Sequence, residues 1–353
     1  MIINNPLQDD LYYIFLQTQP LWEELRNKKI FITGGTGFFG SWLLESFIFI
    51  NKIMKLNAEL TILTRDPKRF IKKFQRLASE SSLYLHKGNI IDFIYPMENF
   101  SYIIHAAMDS RINTNGNNYS FIYNNIINGT KRTLEFAKSC GAKKFLFISS
   151  GAIYRKQACY LSLFHKNGLR KVDLRNFLSA YAAGKYVAES LCHLYAERYQ
   201  FSVKIARCFS FVGPYLPLDL HYAIGNFIRD KLNNKTIIVK SDGSAYRSYL
   251  YAADLAIWLW TILFRGENLF SYNVGSDKAL TIGELATIVA NSKGPKVSVK
   301  IMQPVPNEKF FERYVPNITR TTEHLGLIPK ISLADAINKT ITWHIFRQQM
   351  NGV

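Results

Sequence analysis

Thr33-Gly-Gly-Thr-Gly-Phe-Phe-Gly40 stands between two runs of unlike character. Before it, Lys29-Ile-Phe-Ile-Thr33 is short, apolar and partly β-branched, as a buried strand is. After it, Ser41–Ile53 is apolar and long enough for a helix. Glycines at 34, 37 and 40 give a GxxGxxG spacing. Between a strand and a helix, that spacing permits a tight turn and a close backbone approach to a pyrophosphate. The phosphates then face the helix N-terminus, where free N–H groups and the dipole favour negative charge. The stretch implies a parallel α/β sheet with a dinucleotide at its edge.

Further β-type runs follow at Leu60–Thr64, Leu83–His86, Tyr102–His105, Phe145–Ile148 and Val203–Ala206. Helical stretches such as Gly129–Ser139 and Tyr181–Tyr199 lie between them. Strands alternating with helices predict a doubly wound parallel Rossmann sheet covered on both faces. The alternation loosens after Cys208, where Pro214, Pro217 and Gly225 mark loops. The remainder suits a smaller C-terminal α/β substrate-binding lobe. The expected division is a helical extension over 1–28, broken at Pro20, then a dinucleotide-binding domain over 29–208 with about 246–268. Residues 209–245 and 269–353 would form the substrate lobe.

The 353 residues are 48% hydrophobic and 20% charged, which excludes disordered, collagen-like and coiled-coil proteins. No run of about 18 apolar residues is present to span a membrane. Asp9 and Asp10 precede the short apolar run Tyr12–Leu16, where a secretory signal carries positive charge. Cys140, Cys159, Cys192 and Cys208 are scattered, with no CxxC pair and no histidine at ligand spacing. A reduced, cytoplasmic protein without a metal is expected. The net charge of +18 suits an anionic small ligand. Basic residues are spread along the chain, with small clusters at Arg65–Arg76 and Lys143–Lys144, and no basic tail accompanies them. Neither a nucleic acid nor a membrane is expected as partner.

Ser179-Ala-Tyr181-Ala-Ala-Gly-Lys185 contains YxxxK, which puts Tyr181 and Lys185 on one helix face. Other pieces follow in order: Ile104-His-Ala-Ala107, Phe147-Ile-Ser-Ser-Gly-Ala-Ile-Tyr154, Arg207-Cys-Phe-Ser-Phe-Val-Gly-Pro214, Arg247-Ser-Tyr-Leu-Tyr-Ala-Ala-Asp254 and Tyr272-Asn-Val-Gly275. With the glycine loop, these make the chain resemble the extended short-chain dehydrogenase/reductase family, the NAD(P)-dependent sugar epimerase/dehydratase group, over roughly residues 29–325. The resemblance implies that Tyr181 is the acid/base at the sugar oxygen and that Ser150 holds that oxygen. Lys185 would bond the nicotinamide ribose and, with the nicotinamide charge, lower the phenol's pKa from near 10. It assigns Gly34, Gly37, Phe38, Phe39, Gly40, Arg65, Asn89, Ile90, Ala106, Ala107 and Lys185 to the cofactor. It assigns Ser150, Ser210, Asn226, Arg247 and Arg313 to a nucleoside-diphosphate sugar, the two arginines clamping the diphosphate. Ser210 stands where many relatives have Asn.

Two departures narrow the function. The second strand ends in Leu63-Thr64-Arg65-Asp66. A guanidinium there suits a 2′-phosphate, so NADP(H) is favoured over NAD(H), with Asp66 as ribose ligand the alternative. Gly151 and Ala152 stand where 4,6-dehydratases carry Asp-Glu, and neither can transfer a proton. A reductase of a nucleoside-diphospho-4-keto-6-deoxysugar is therefore expected. The alternatives are a 4-epimerase or decarboxylase holding NAD tightly, and a non-catalytic dinucleotide-binding sensor or scaffold. Intact Ser150, Tyr181 and Lys185 speak against the last. The resemblance also implies a homodimer through the faces of Gly129–Ser139 and Tyr181–Tyr199, and a place in polysaccharide precursor synthesis. The stretch holding Arg155, Lys156, His165 and Lys166 either covers the sugar pocket or is a variable surface loop.

Overall fold

Among the described residues, seven strands form one parallel sheet: β1 (Lys29–Thr33), β2 (Glu59–Thr64), β3 (Leu83–Lys87), β4 (Tyr102–His105), β5 (Lys144–Ser150), β6 (Ser202–Cys208) and β7 (Phe270–Val274). This computed structural model describes residues 5–107, 119–154, 177–199, 201–220, 222–304 and 312–351. Arg155, Lys156, His165 and Lys166 lie outside them. The strand order is β7-β6-β5-β4-β1-β2-β3. The chain leaves β1 for β2 on one side, while β4 pairs on the other. Such a reversal opens a crevice at the strands' carboxyl ends, where α/β sheets take their ligands. The glycine loop leaves β1 at that point.

Side chains alternate across a strand, so each strand feeds two cores. Ile30, Ile32, Ile62, Ile104 and Leu146 face one side, under helix α2 (Phe38–Met54). Phe31, Ile103, Phe145, Phe147, Val203 and Ile205 face the other. That side is covered by α3 (Tyr119–Ser139) and α4 (Phe177–Tyr199), which pack on each other. The helix expected over Gly129–Ser139 begins ten residues earlier, because Ile122 and Ile126 anchor its Asn-rich first turns in the core.

Residues 5–28 are no loose appendage. Helix α1 (Gln8–Thr18) and the 3-10 turn Gln19–Leu25 lie on α2 and on α5 (Ala252–Arg265). Trp22 is fully buried, its ring 4.7 Å from that of Trp260, whose indole donates to Ser46 Oγ on α2 at 2.8 Å. Buried Asp10 accepts from Tyr251 at 2.6 Å and pairs with Lys339 at 2.9 Å. Tyr13 donates to buried Asp254 at 2.8 Å. Pro20 ends the α-helix as expected, and the chain continues as a tighter turn.

The boundary expected near residue 268 needs correction. Phe270–Val274 pairs in register with β6 and is the sheet's edge strand, so this stretch belongs with the dinucleotide-binding sheet. Its mixed burial, with Phe270 and Asn273 half-exposed, gives it a weaker apolar pattern than an interior strand. The remaining C-terminal elements are short. Tyr246–Arg247 pairs with Leu280–Thr281 and with Arg313–Tyr314, and Ile237–Val239 pairs with Val299–Ile301. Helices Ala223–Leu232, Ile282–Ala290 and Leu333–Asn351 pack beside them. Among the described residues, no helix is long and apolar enough to cross a membrane.

Candidate active site

The glycine loop is tight for steric reasons. Gly34 has φ +77°, and a Cβ there would lie 2.5 Å from the carbonyl of Ala106. A Cβ on Gly40 would lie 2.4 Å from the Gly34 carbonyl oxygen. A Cβ on Gly37 would make only an ordinary contact, 3.5 Å from the Gly34 carbonyl oxygen, and Gly37 N-caps α2 without a side chain to offer, so the first-turn amides, those of Phe38 and Phe39 among them, have no side-chain cap. A bare backbone cradle over an uncapped helix N-terminus fits a dinucleotide pyrophosphate. Lys73 donates to the Thr36 carbonyl at 3.2 Å, tying the helix Pro67–Lys73 to the loop. Asp66 Oδ1 caps that helix by accepting from Arg69 N at 2.9 Å. Arg65, exposed, sits at the rim. Asn89 anchors the turn after β3 through its carbonyl, and Ile90 packs against Gly129 of α3.

Ala106 and Ala107 are held against Gly34 by a buried chain of hydrogen bonds. Thr130 donates its hydroxyl to the Ile126 carbonyl at 2.7 Å, so it accepts from His105 Nε2–H at 3.1 Å. His105 Nδ1 then accepts from Thr33 Oγ1 at 2.7 Å, and Thr33 Oγ1 accepts from Ala107 N at 3.2 Å. Burial, with a smaller push from the Lys185 charge, lowers His105 to about 3. The imidazole is a neutral strut. The sequence showed His105 only as part of a motif; a histidine flanked by apolar strand residues was the available signal.

Ser150 ends β5, opposite Cys208 on β6. Its Oγ accepts from Ala152 N at 3.1 Å. Lys185, one turn along α4, donates to the Ile148 carbonyl at 2.7 Å and lies 4.7 Å from the Phe147 ring centre. The structure thus brings Ser150, Tyr181 and Lys185 to one strand end. Burial lowers Lys185 to about 8. Burial raises Tyr181, and the nearby Ser150 hydroxyl opposes that rise. A phenol, a hydroxyl and an ammonium so arranged can pass one proton to a bound oxygen and steady the charge left behind.

The substrate side departs from expectation at the arginines. Parallel pairing sets Arg313 opposite Tyr246 and Tyr314 opposite Arg247. Opposed residues share a face and neighbours alternate, so Arg247 and Arg313 point to opposite faces and form no joint clamp. Arg313 lies over the Tyr246 ring at 5.5 Å. Arg247 pairs with Glu312 at 2.9 Å. It shares its face with Tyr314, a residue the sequence reading passed over although it adjoins Arg313. The ring of Tyr314 lies 4.9 Å from that of Phe209. Asn226 accepts from Arg229 at 3.2 Å, and the Ser210 carbonyl accepts from Leu250 N at 3.0 Å. A second missed group braces the strand ends. Buried Glu189 takes Ser149 and Arg207, Arg207 donates to Tyr154 at 2.6 Å, and Tyr154 donates to Asn273 at 3.0 Å. Among the described residues, no cluster of His, Cys, Asp or Glu could hold a metal.

His105 gives a pH signature. It is neutral in the fold, whereas unfolded histidine binds a proton below about 6.5. Its stabilising contribution is complete above that pH and declines as pH falls toward the folded value, by roughly 1 kcal/mol per pH unit. Urea unfolding between pH 7 and pH 5 should show a steeper loss for the native chain than for His105→Asn. Equal slopes would mean that the ring is already protonated or exposed.

Residues 30–275 match the model of the NAD dependent epimerase/dehydratase family. The chain is 27% identical over 320 residues to UDP-glucuronic acid decarboxylase 5 of Arabidopsis thaliana, covering 88% of this chain and 87% of that one. It is 30% identical over 281 residues to the dTDP-D-glucose 4,6-dehydratase of Dictyostelium discoideum, covering 76% and 63%. Its fold is that of an epimerase from Methanothermobacter thermautotrophicus, with TM-score 0.76, 20% identity and coverage of 95% and 97%. A UDP-N-acetylglucosamine 4-epimerase from Methanobrevibacter ruminantium is also similar, with TM-score 0.74, 21% identity and coverage of 91% and 99%. Glycine loop, switch-point crevice and family match agree: the chain belongs to the NAD dependent epimerase/dehydratase family.

Proposed function

We propose that the chain reduces a nucleoside-diphospho-4-keto-6-deoxysugar with NADPH. The observation that carries this reading is Gly151. A Cβ there would lie 2.7 Å from the Phe209 ring, so the position that would hold a second proton-transfer group is filled by an aromatic edge. Ala152 beside it has no titratable group either. Elimination of water needs both an acid and a base beyond Tyr181, and this strand end offers neither. One phenol and one hydroxyl suffice for ketone reduction. Tyr181 gives its proton to the sugar oxygen, Ser150 orients that oxygen, and Lys185 supports the resulting phenolate. When bound, a reduced nicotinamide dinucleotide would supply the hydride for the sugar carbonyl. Arg247 would bind the diphosphate.

NADP(H) is favoured because the Asp66 carboxylate already caps a helix, and because positive charge gathers at that rim. Lys73 is lowered by burial and by the like charges of Arg347 and Arg69, a repulsion that a 2′-phosphate would relieve. A second reading, a 4-epimerase or decarboxylase with tightly held NAD, uses the same three residues and is favoured by what several relatives are called.

Mass spectrometry of the purified protein, then titration with NADPH and NADH, separates the two. The reductase reading expects exchangeable cofactor and an NADPH preference that Arg65→Ala weakens by tenfold or more, about 1.4 kcal/mol, with NADH binding unchanged. Stoichiometric NAD that does not exchange would establish the second reading instead.

We also propose a homodimer through α3 and α4. Tyr186 and Leu194, two turns apart on α4, are 62% and 60% exposed, more than isolated surface positions need. Light scattering should report a dimer that Leu194→Glu converts to monomer. A native monomer at micromolar concentration would contradict this.

A further inference from the structure

We propose that Tyr154 is a positioning residue of the active site: its hydroxyl ties the turn that follows Ser150 to a polar rung laid across three strands, and so sets the serine against the helix that carries Tyr181 and Lys185. The proposal rests on reading Ser150 as the group that orients the sugar oxygen.

The rung follows from register. Ser149 on β5 stands opposite Arg207 on β6, and Arg207 stands opposite Asn273 on β7. Opposed residues share a face. It is the face that α4 covers, because Phe145 and Phe147 precede Ser149 at alternate positions. Glu189 meets it from α4, one turn beyond Lys185, and is 4% exposed. A carboxylate buried so deeply needs charge and hydrogen-bond partners. Ser149 donates to Glu189 Oε1, and Arg207 donates to both carboxylate oxygens, Nη2 reaching Oε2 at 2.6 Å. Helix α4 therefore holds two consecutive residues of β5. Lys185 bonds the Ile148 carbonyl at 2.7 Å, and Glu189 takes Ser149. Ser150 comes next.

Arg207 has donors left once Glu189 is served. Its Nη1 donates to Tyr154 Oη at 2.6 Å, and Tyr154 donates its one hydrogen to Asn273 Oδ1 at 3.0 Å. Asn273 donates onward to the Asn317 carbonyl at 2.8 Å, and its own carbonyl accepts from Thr321 Oγ1 at 2.8 Å. The direction of the chain is fixed, because a guanidinium only donates. Tyr154 accepts on one side and donates on the other.

What Tyr154 holds is a short turn. Ser150 ends β5, Gly151–Ile153 make one 3-10 turn, and Tyr154 N donates to the Gly151 carbonyl at 3.0 Å. Inside the turn, Ala152 N donates to Ser150 Oγ at 3.1 Å. The turn is anchored to the strand at one end and to the rung at the other. Released at Tyr154, it would swing about Ser150 and carry the Ala152 N–H away from the serine oxygen it aims.

Tyr154→Phe keeps the ring stacked on Phe209, 6.2 Å between centres, and leaves the Glu189–Arg207 pair whole. It should slow single-turnover hydride transfer, read from nicotinamide absorbance, by about tenfold or more, with dinucleotide affinity and Tm unchanged. Asn273→Ala should act in the same direction, and adding it to Tyr154→Phe should cost little more. In a Ser150→Ala background, Tyr154→Phe should add nothing, since the serine through which it acts is gone. Amide exchange gives a readout without turnover. The Ala152 N–H should exchange about tenfold faster in Tyr154→Phe, while the buried amides of β5 keep their native rates. An Ala152 amide that exchanges at the native rate, or losses that multiply in the Ser150→Ala background, would overturn the proposal. Hydride transfer that runs only from a nucleotide hexose to bound NAD, and that Tyr154→Phe slows, would overturn the reductase reading and support the role of Tyr154.

Discussion

The close approach of Gly34 to the end of β4 is the constraint on which the rest depends. At 2.5 Å from a virtual Cβ, the Ala106 carbonyl leaves room for no side chain, and φ +77° excludes most residues besides. This contact closes the glycine loop over the sheet and presents the uncapped start of α2 to the crevice. The buried chain Thr33–His105–Thr130 holds the other wall in place, and its orientation is determined by counting donors. It also reaches across to α3, so the loop, two strands and the helix beneath them form one rigid unit. The charge of Lys185 acts on the same histidine, which links the cofactor wall electrostatically to the catalytic strand end.

The second wall draws on the sheet, α4 and the small lobe together. The rings of Tyr314 and Phe209 pack at a tilt, and Tyr154 bridges from Arg207 to Asn273 on the edge strand. Buried Glu189, one turn beyond Lys185 on α4, anchors that bridge. The lobe thus completes the site. A Cβ on Gly151 would lie 2.7 Å from the Phe209 ring.

Much of the sheet was legible because glycine spacing and strand–helix alternation are local signals. Tyr102–His105 has the expected bounds, and β5 and β6 extend by one or two residues beyond them. What stayed hidden was non-local. The edge strand Phe270–Val274 is recognised by its pairing with β6, which no short pattern reports. Arg247 and Arg313 looked like partners until the register put them on opposite faces. Tyr314 is not legible in the sequence because its motif is loose and the ring it packs on, Phe209, lies far away in sequence. The N-terminal helix read correctly as helical, but its clamps, Asp10 to Lys339 and Glu24 to Lys144, join distant segments.

The central claim is that Ser150, Tyr181 and Lys185 serve a single net hydride transfer to a sugar carbonyl. Incubating the protein with C4-deuterated NADPH and a nucleoside-diphospho-4-keto-6-deoxysugar tests it most directly. The account predicts deuterium at sugar C4, with one cofactor oxidised per sugar reduced and the reaction lost in Tyr181→Phe. Turnover of a nucleotide sugar with no net cofactor oxidation and no deuterium in the product would contradict it.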